Sequence, residues 1–83
     1  MSGAAGSSVQ ITVKAEGNAL QYRWQYRQPG KQDWNNSGLT GFATDTLTVP
    51  VTAGRNGQSY RCVITDGYGA ETITEVAVLT AKG

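Results

Sequence analysis

Few side chains in this 83-residue chain could carry chemistry, and they are scattered. Cys62 is the single thiol and there is no histidine. A cysteine nucleophile needs a neighbouring base or cation to hold its thiolate, so Cys62 reads as a small buried apolar side chain. The same shortage excludes a zinc site of the usual ligand set. It also leaves the many serine and threonine hydroxyls without a histidine or a lysine dyad to activate one. Asp66 and Glu71 flank the turn Asp66-Gly67-Tyr68-Gly69, where two carboxylates fit a weak calcium site or an acid–base pair. Hard cations want six or more oxygens, and glycosidase carboxylates need a sugar-sized cleft between them. Two carboxylates on a turn are more often simply solvated. Gly67-Tyr68-Gly69 does not cradle phosphate, because neither a helix nor a P-loop lysine follows it. No catalytic residue, metal ligand or cofactor is expected, and the chain reads as a non-enzyme.

The elements that would position these residues are short strands. No stretch sustains an apolar period near 3.6, glycine and threonine are abundant, and only two prolines occur, so the chain is expected to be all-β with turns between strands. Eighty-three residues make one domain with a single thin core. The net charge of +1 gives no electrostatic reason to invoke nucleic acid, and no apolar run approaches a membrane span. Residues 1–8 are small and polar, with nothing to bury, and should be loosely held.

From there the alternation is clear. Val9, Ile11, Val13 and Ala15 should face the core along residues 9–15. Tyr22, Trp24 and Tyr26 should do so along 21–27, with Gln21, Arg23, Gln25 and Arg27 on the other side. Pro29-Gly30 suits a type II turn and should send the chain back along 32–36, which carries Trp34. Leu47 and Val49 point inward on the next strand, with Val51 continuing the row. Tyr60, Cys62 and Ile64 do the same on the strand after that, leaving Arg61, Val63 and Thr65 outward. The last strand, within 70–81, changes phase and needs a bulge near Glu75.

Tyr60 two residues before Cys62, just after the turn Arg55-Asn56-Gly57, and Trp24 within Tyr22-Arg23-Trp24-Gln25-Tyr26 resemble the strand F and strand C signatures of an immunoglobulin-like domain. With Ile11-Thr12-Val13-Lys14-Ala15-Glu16-Gly17 and Leu47-Thr48-Val49, the pattern from Val9 onward looks like the bacterial immunoglobulin-like repeats of large cell-surface proteins. The resemblance implies a two-sheet Greek-key sandwich of about six or seven strands, with residues 9–83 as the single domain. Residues 1–8 would be a remnant of strand A or residues appended to the natural chain. Strand A is then shortened or absent, and part of a sheet edge stays uncovered. Val13 stands where the family would place the strand B cysteine, so no intrachain disulfide forms. Trp24, Cys62, Val13, Tyr60, Leu47 and Ile64 should form the centre.

The resemblance also implies a function class and a surface. A non-catalytic module of a secreted or cell-surface bacterial protein would act as a spacer or an adhesion and interaction domain, with neighbouring domains of the same chain as first partners. If the strands carrying Trp24 and Cys62 pair, Arg23, Arg27 and Arg61 emerge on one side of one sheet. That face, with Trp34 and Tyr68, is the candidate surface for a host protein or a glycan. The bland alternative is a solvated sheet face whose arginine stems cover apolar neighbours. Trp34 would then fold over Tyr26 or Phe42 to cap the core.

Overall fold

The structure, a computed structural model, describes residues 2–17 and 19–82. Among the described residues nine strands run in order as β1 (Ser2–Ala4), β2 (Ser8–Thr12), β3 (Gln21–Arg27), β4 (Asn35–Asn36), β5 (Thr46–Pro50), β6 (Ser59–Thr65), β7 (Glu71–Ile73), β8 (Ala77–Val78) and β9 (Thr80–Lys82). Among the described residues the only helical piece is a 3-10 turn at Ala53–Arg55. The protein is all-β with several sheets, and Cys62 is buried and unpaired.

The largest sheet has the order β4-β3-β6-β7, with β8 also on β6. Its spine is the antiparallel β3–β6 pair, in which Trp24 faces Cys62, Tyr22 faces Ile64 and Tyr26 faces Tyr60. Directly opposed residues share a face, so the period-two pattern of both strands turns these six side chains the same way. Against them lies the β2–β5 pair, where Val9 faces Val49 and Ile11 faces Leu47. Trp24, Leu47, Val49, Val51, Tyr60, Cys62, Ile64 and Leu79 form the buried core. Each fully buried apolar side chain of this size contributes about 1.5–3 kcal/mol. Trp24 is buried without an orphaned donor, because its indole N–H donates to the Thr44 carbonyl at 2.7 Å.

Four expectations need correction. The opening residues are tied in: β1 pairs in parallel with β9, Gly3 opposite Ala81. A Cβ on Gly3 would lie 2.9 Å from Val9 and 3.0 Å from Val51, so the lack of a side chain there is what lets β1 settle on the core. Second, β2 stops at Thr12. Val13 is half-buried at the rim of the core rather than central, and Ala15 is exposed. Third, the returning arm forms only the two-residue β4, Asn35 opposite Tyr26 and Asn36 opposite Gln25. The carbonyl and N–H of Trp24 are taken instead by Ser37 N at 2.8 Å and Phe42 O at 3.1 Å. Fourth, Val63 is buried although its row faces outward, for it lies between Arg23 on β3 and Ile73 on β7.

The break in the last strand falls where its pattern required one. The Cys62 carbonyl accepts the Thr74 N–H at 3.0 Å, the Cys62 N–H donates to the Thr74 hydroxyl at 2.9 Å, and Tyr60 faces Ala77. Glu75 and Val76 therefore both oppose Arg61, the two-against-one arrangement of a β-bulge. The extra residue resets the phase and turns Leu79 into the core, where it is fully buried.

Candidate interaction face

The outer face of β3 and β6 carries Gln21, Arg23, Gln25 and Arg27 in one row and Ser59, Arg61, Val63 and Thr65 in the next. Strand pairing aligns Arg61 with Gln25, and Arg61 Nε donates to Gln25 Oε1 at 2.9 Å. Gln25 Nε2 then donates to Asn36 Oδ1 at 3.3 Å, extending the chain of bonds onto β4.

Trp34 joins this face rather than the core. The Arg61 guanidinium lies 4.2 Å and that of Arg27 4.7 Å from the centroid of its ring, and the ring is half-buried. Tyr26 packs against the core, and Phe42 is half-exposed on the β4–β5 connection. The guanidinium is weakly hydrated and planar, so it stacks on an indole at little desolvation cost. Trp34, Arg27 and Arg61 are therefore one assembly.

The other two candidates lie apart from it. Arg23 makes an ion pair with Glu71 at 3.6 Å, with both side chains more than half exposed, which is worth little in water. Tyr68 is 95% exposed at the tip of the β6–β7 turn, beyond Thr65, which is four residues and on the order of 13 Å along the strand from Arg61. Asp66 holds that turn, its Oδ1 accepting the N–H groups of Tyr68 at 2.9 Å and Ala70 at 3.0 Å. With Glu71 directed to Arg23, the two carboxylates serve different partners. Among the described residues no group of three or more acidic, cysteine or histidine side chains could hold a metal ion.

Cys62 has chemistry only in principle. Burial pushes its thiol pKa up, partly offset by a backbone hydrogen bond from Arg23, so the thiolate needed for nucleophilic attack is scarce at neutral pH. Burial likewise raises the pKa of Tyr60, with the Arg55 charge acting against it. Among the described residues, no helix is long and apolar enough to cross a membrane.

Compared with known proteins, the chain matches no family model, and neither curated proteins nor solved structures provide a significant match.

Proposed function

We propose that this chain is a non-catalytic, immunoglobulin-like Greek-key sandwich module of a secreted or cell-surface bacterial protein, serving as a spacer or interaction domain. The observation that carries the reading is the parallel β1–β9 pair. The first and last strands run side by side in the same direction, so a polypeptide threading this module enters and leaves travelling the same way. Modules joined in series through such strands extend rather than fold back. The two facing sets of strands, β2 with β5 and β4-β3-β6-β7, support the sandwich reading. The elongated body, 43 × 24 × 18 Å, suits a unit that sets reach.

The test is a tandem of two copies measured by small-angle scattering. The expected maximum dimension approaches the sum of two long axes. A tandem no longer than two modules lying side by side overturns the spacer reading.

A second reading is favoured by the Trp34, Arg27 and Arg61 assembly, whose aromatic and cationic groups share one surface. It is a recognition module for a glycan or host protein. Saturable chemical-shift changes at those three residues on adding a glycan panel, abolished by Trp34→Ala, would select it over the spacer.

A further inference from the structure

A concave site lies apart from the arginine face. The end of β3, the start of the β4–β5 connection and the corner before β6 enclose a groove of about 380 Å³, lined by Tyr26, Gln28, Ser37, Leu39, Arg55 and Gln58, with Tyr60 at its back. That volume holds one monosaccharide-sized ligand. Two of the three buried polar residues among the described residues, Ser37 and Gln58, line it. They are fixed from behind: Ser37 Oγ accepts the Leu39 N–H at 3.2 Å, and Gln58 receives the Tyr60 hydroxyl and donates to Gln28 at 3.0 Å. A network tied in this way is pre-organised, so little ordering is left to pay for on binding.

The charge in this groove is unbalanced. Arg55 sits on the 3-10 turn, and its Nη1 donates to the Pro50 carbonyl at 3.3 Å. Among the described residues the only ion pair is Arg23–Glu71, so no carboxylate neutralises Arg55. Its field reaches the Tyr60 hydroxyl, opposing part of the rise that burial gives that group. The remaining guanidinium donors suit an incoming carboxylate. The amides of Gln28 and Gln58 and the hydroxyl of Ser37 are spaced around the groove, as a ligand rich in hydroxyls requires. Leu39 and the ring of Tyr26 give that ligand's C–H face an apolar wall.

The geometry points to a binding site for a carboxylate-bearing sugar, a hexuronate residue, in the groove between Tyr26, Ser37, Leu39, Arg55 and Gln58. It is independent of the Trp34 assembly and goes beyond a spacer role. A peptide carboxylate fits less well, because it would engage Arg55 and leave the further hydrogen-bonding capacity of Gln28, Gln58 and Ser37 unused.

Titration of the intact chain with glucuronate, followed by heteronuclear NMR, tests this. Saturable shifts are expected at Arg55, Gln58, Tyr26 and the backbone of residues 37–39, with little response to glucose at the same concentration. Arg55→Gln should weaken binding by roughly tenfold or more, the usual effect of losing a charge-assisted hydrogen bond. Arg55→Lys should retain most of it, and the spectra of both variants report whether the fold is intact. The proposal is overturned if glucuronate shifts these resonances no more than glucose does. It is also overturned if N-acetylaspartate binds as well as glucuronate, or if Arg55→Gln binds as the parent does.

Discussion

The hydroxyl of Tyr60 donates to the side-chain carbonyl of Gln58, whose amide donates to Gln28 across the chain reversal after β3. The bond joins the corner before β6 to the Pro29-Gly30 turn, so one buried phenol fixes two loops. Tyr60→Phe keeps the ring and strands the Gln58 carbonyl. A loss of about 1–3 kcal/mol is expected, the usual cost of an unsatisfied buried group, read as a lower urea midpoint at unchanged slope. Gln28→Ala should cost less, because Gln28 is exposed. An unshifted midpoint for Tyr60→Phe would show that the bond does not hold the corner.

Alkaline pH should weaken the fold in two steps. Burial raises both Cys62 and Tyr60 above their ordinary values of 9.0 and 10.0. The folded state holds each proton more tightly than the unfolded chain does. The resulting stability is complete below pH 9 and is lost as pH rises through each folded-state value. Urea midpoints measured from neutral pH upward should therefore fall first on account of Cys62 and then of Tyr60. In the Cys62→Val, Tyr60→Phe double variant the decline should be flatter, and an equally steep fall there would exclude these two groups as its cause.

On β3 and β6 the structure follows the sequence period, whereas along 9–15 the strand ends at Thr12 and leaves Ala15 exposed. Tyr22, Trp24 and Tyr26 on β3 and Tyr60, Cys62 and Ile64 on β6 could be assigned a face by alternation alone, and the clash of phase around Glu75 marked the bulge. The misses at β1, Trp34 and the groove share a cause: nothing local specifies them. β1 is held by backbone pairing and by the small size of Gly3, neither of which has a hydrophobic pattern. The position of Trp34 depends on the path of the irregular arm before β4, and only the β3–β6 register shows that Arg27 and Arg61 meet there. The groove around Arg55 gathers residues from three separate segments, and no motif spacing joins Tyr26, Ser37 and Gln58.

The Trp34 assembly should be measurable as a coupling. Each exposed cation–π contact is worth about 0.5–1 kcal/mol, and Trp34 makes two. Trp34→Ala should therefore destabilise by about 1–2 kcal/mol. A double-mutant cycle of Trp34→Ala with Arg61→Ala should give a coupling energy of about 0.5–1 kcal/mol. Additive single effects would mean that the two side chains are neighbours without interacting.

Gly41 should tolerate no side chain. Its φ is +88°, and an added Cβ would overlap the Thr46 carbonyl oxygen. Gly41→Ala should cost about 1–3 kcal/mol in backbone strain, with the overlap on the Thr46 carbonyl adding to it. Gly54→Ala is the matched control, since a Cβ there meets only Thr52 Oγ1 at 3.9 Å. Thermal melts of the pair should separate clearly, and equal melting temperatures would mean that the β4–β5 connection relaxes away from Thr46.

Asn56 acts as a latch on the last strand. Its Oδ1 accepts the Ala81 N–H at 2.9 Å, while the next residue's N–H, that of Gly57, donates to the Leu79 carbonyl at 2.8 Å. With the Leu79 N–H also donating to the Gln58 carbonyl at 2.9 Å, this segment grips Leu79 and β9 at three points, and β9 in turn carries β1. Asn56→Ala removes one grip and leaves the other two. A global loss of about 0.5–1.5 kcal/mol is expected, together with faster amide exchange in β1 and β9 and unchanged protection in the β3–β6 pair, because local opening follows the weakest cooperative unit. Faster exchange spread evenly over all strands would place the terminal pair in the same cooperative unit as the core. The parallel entry and exit of the chain would then be as firmly held as the Trp24–Cys62 register itself.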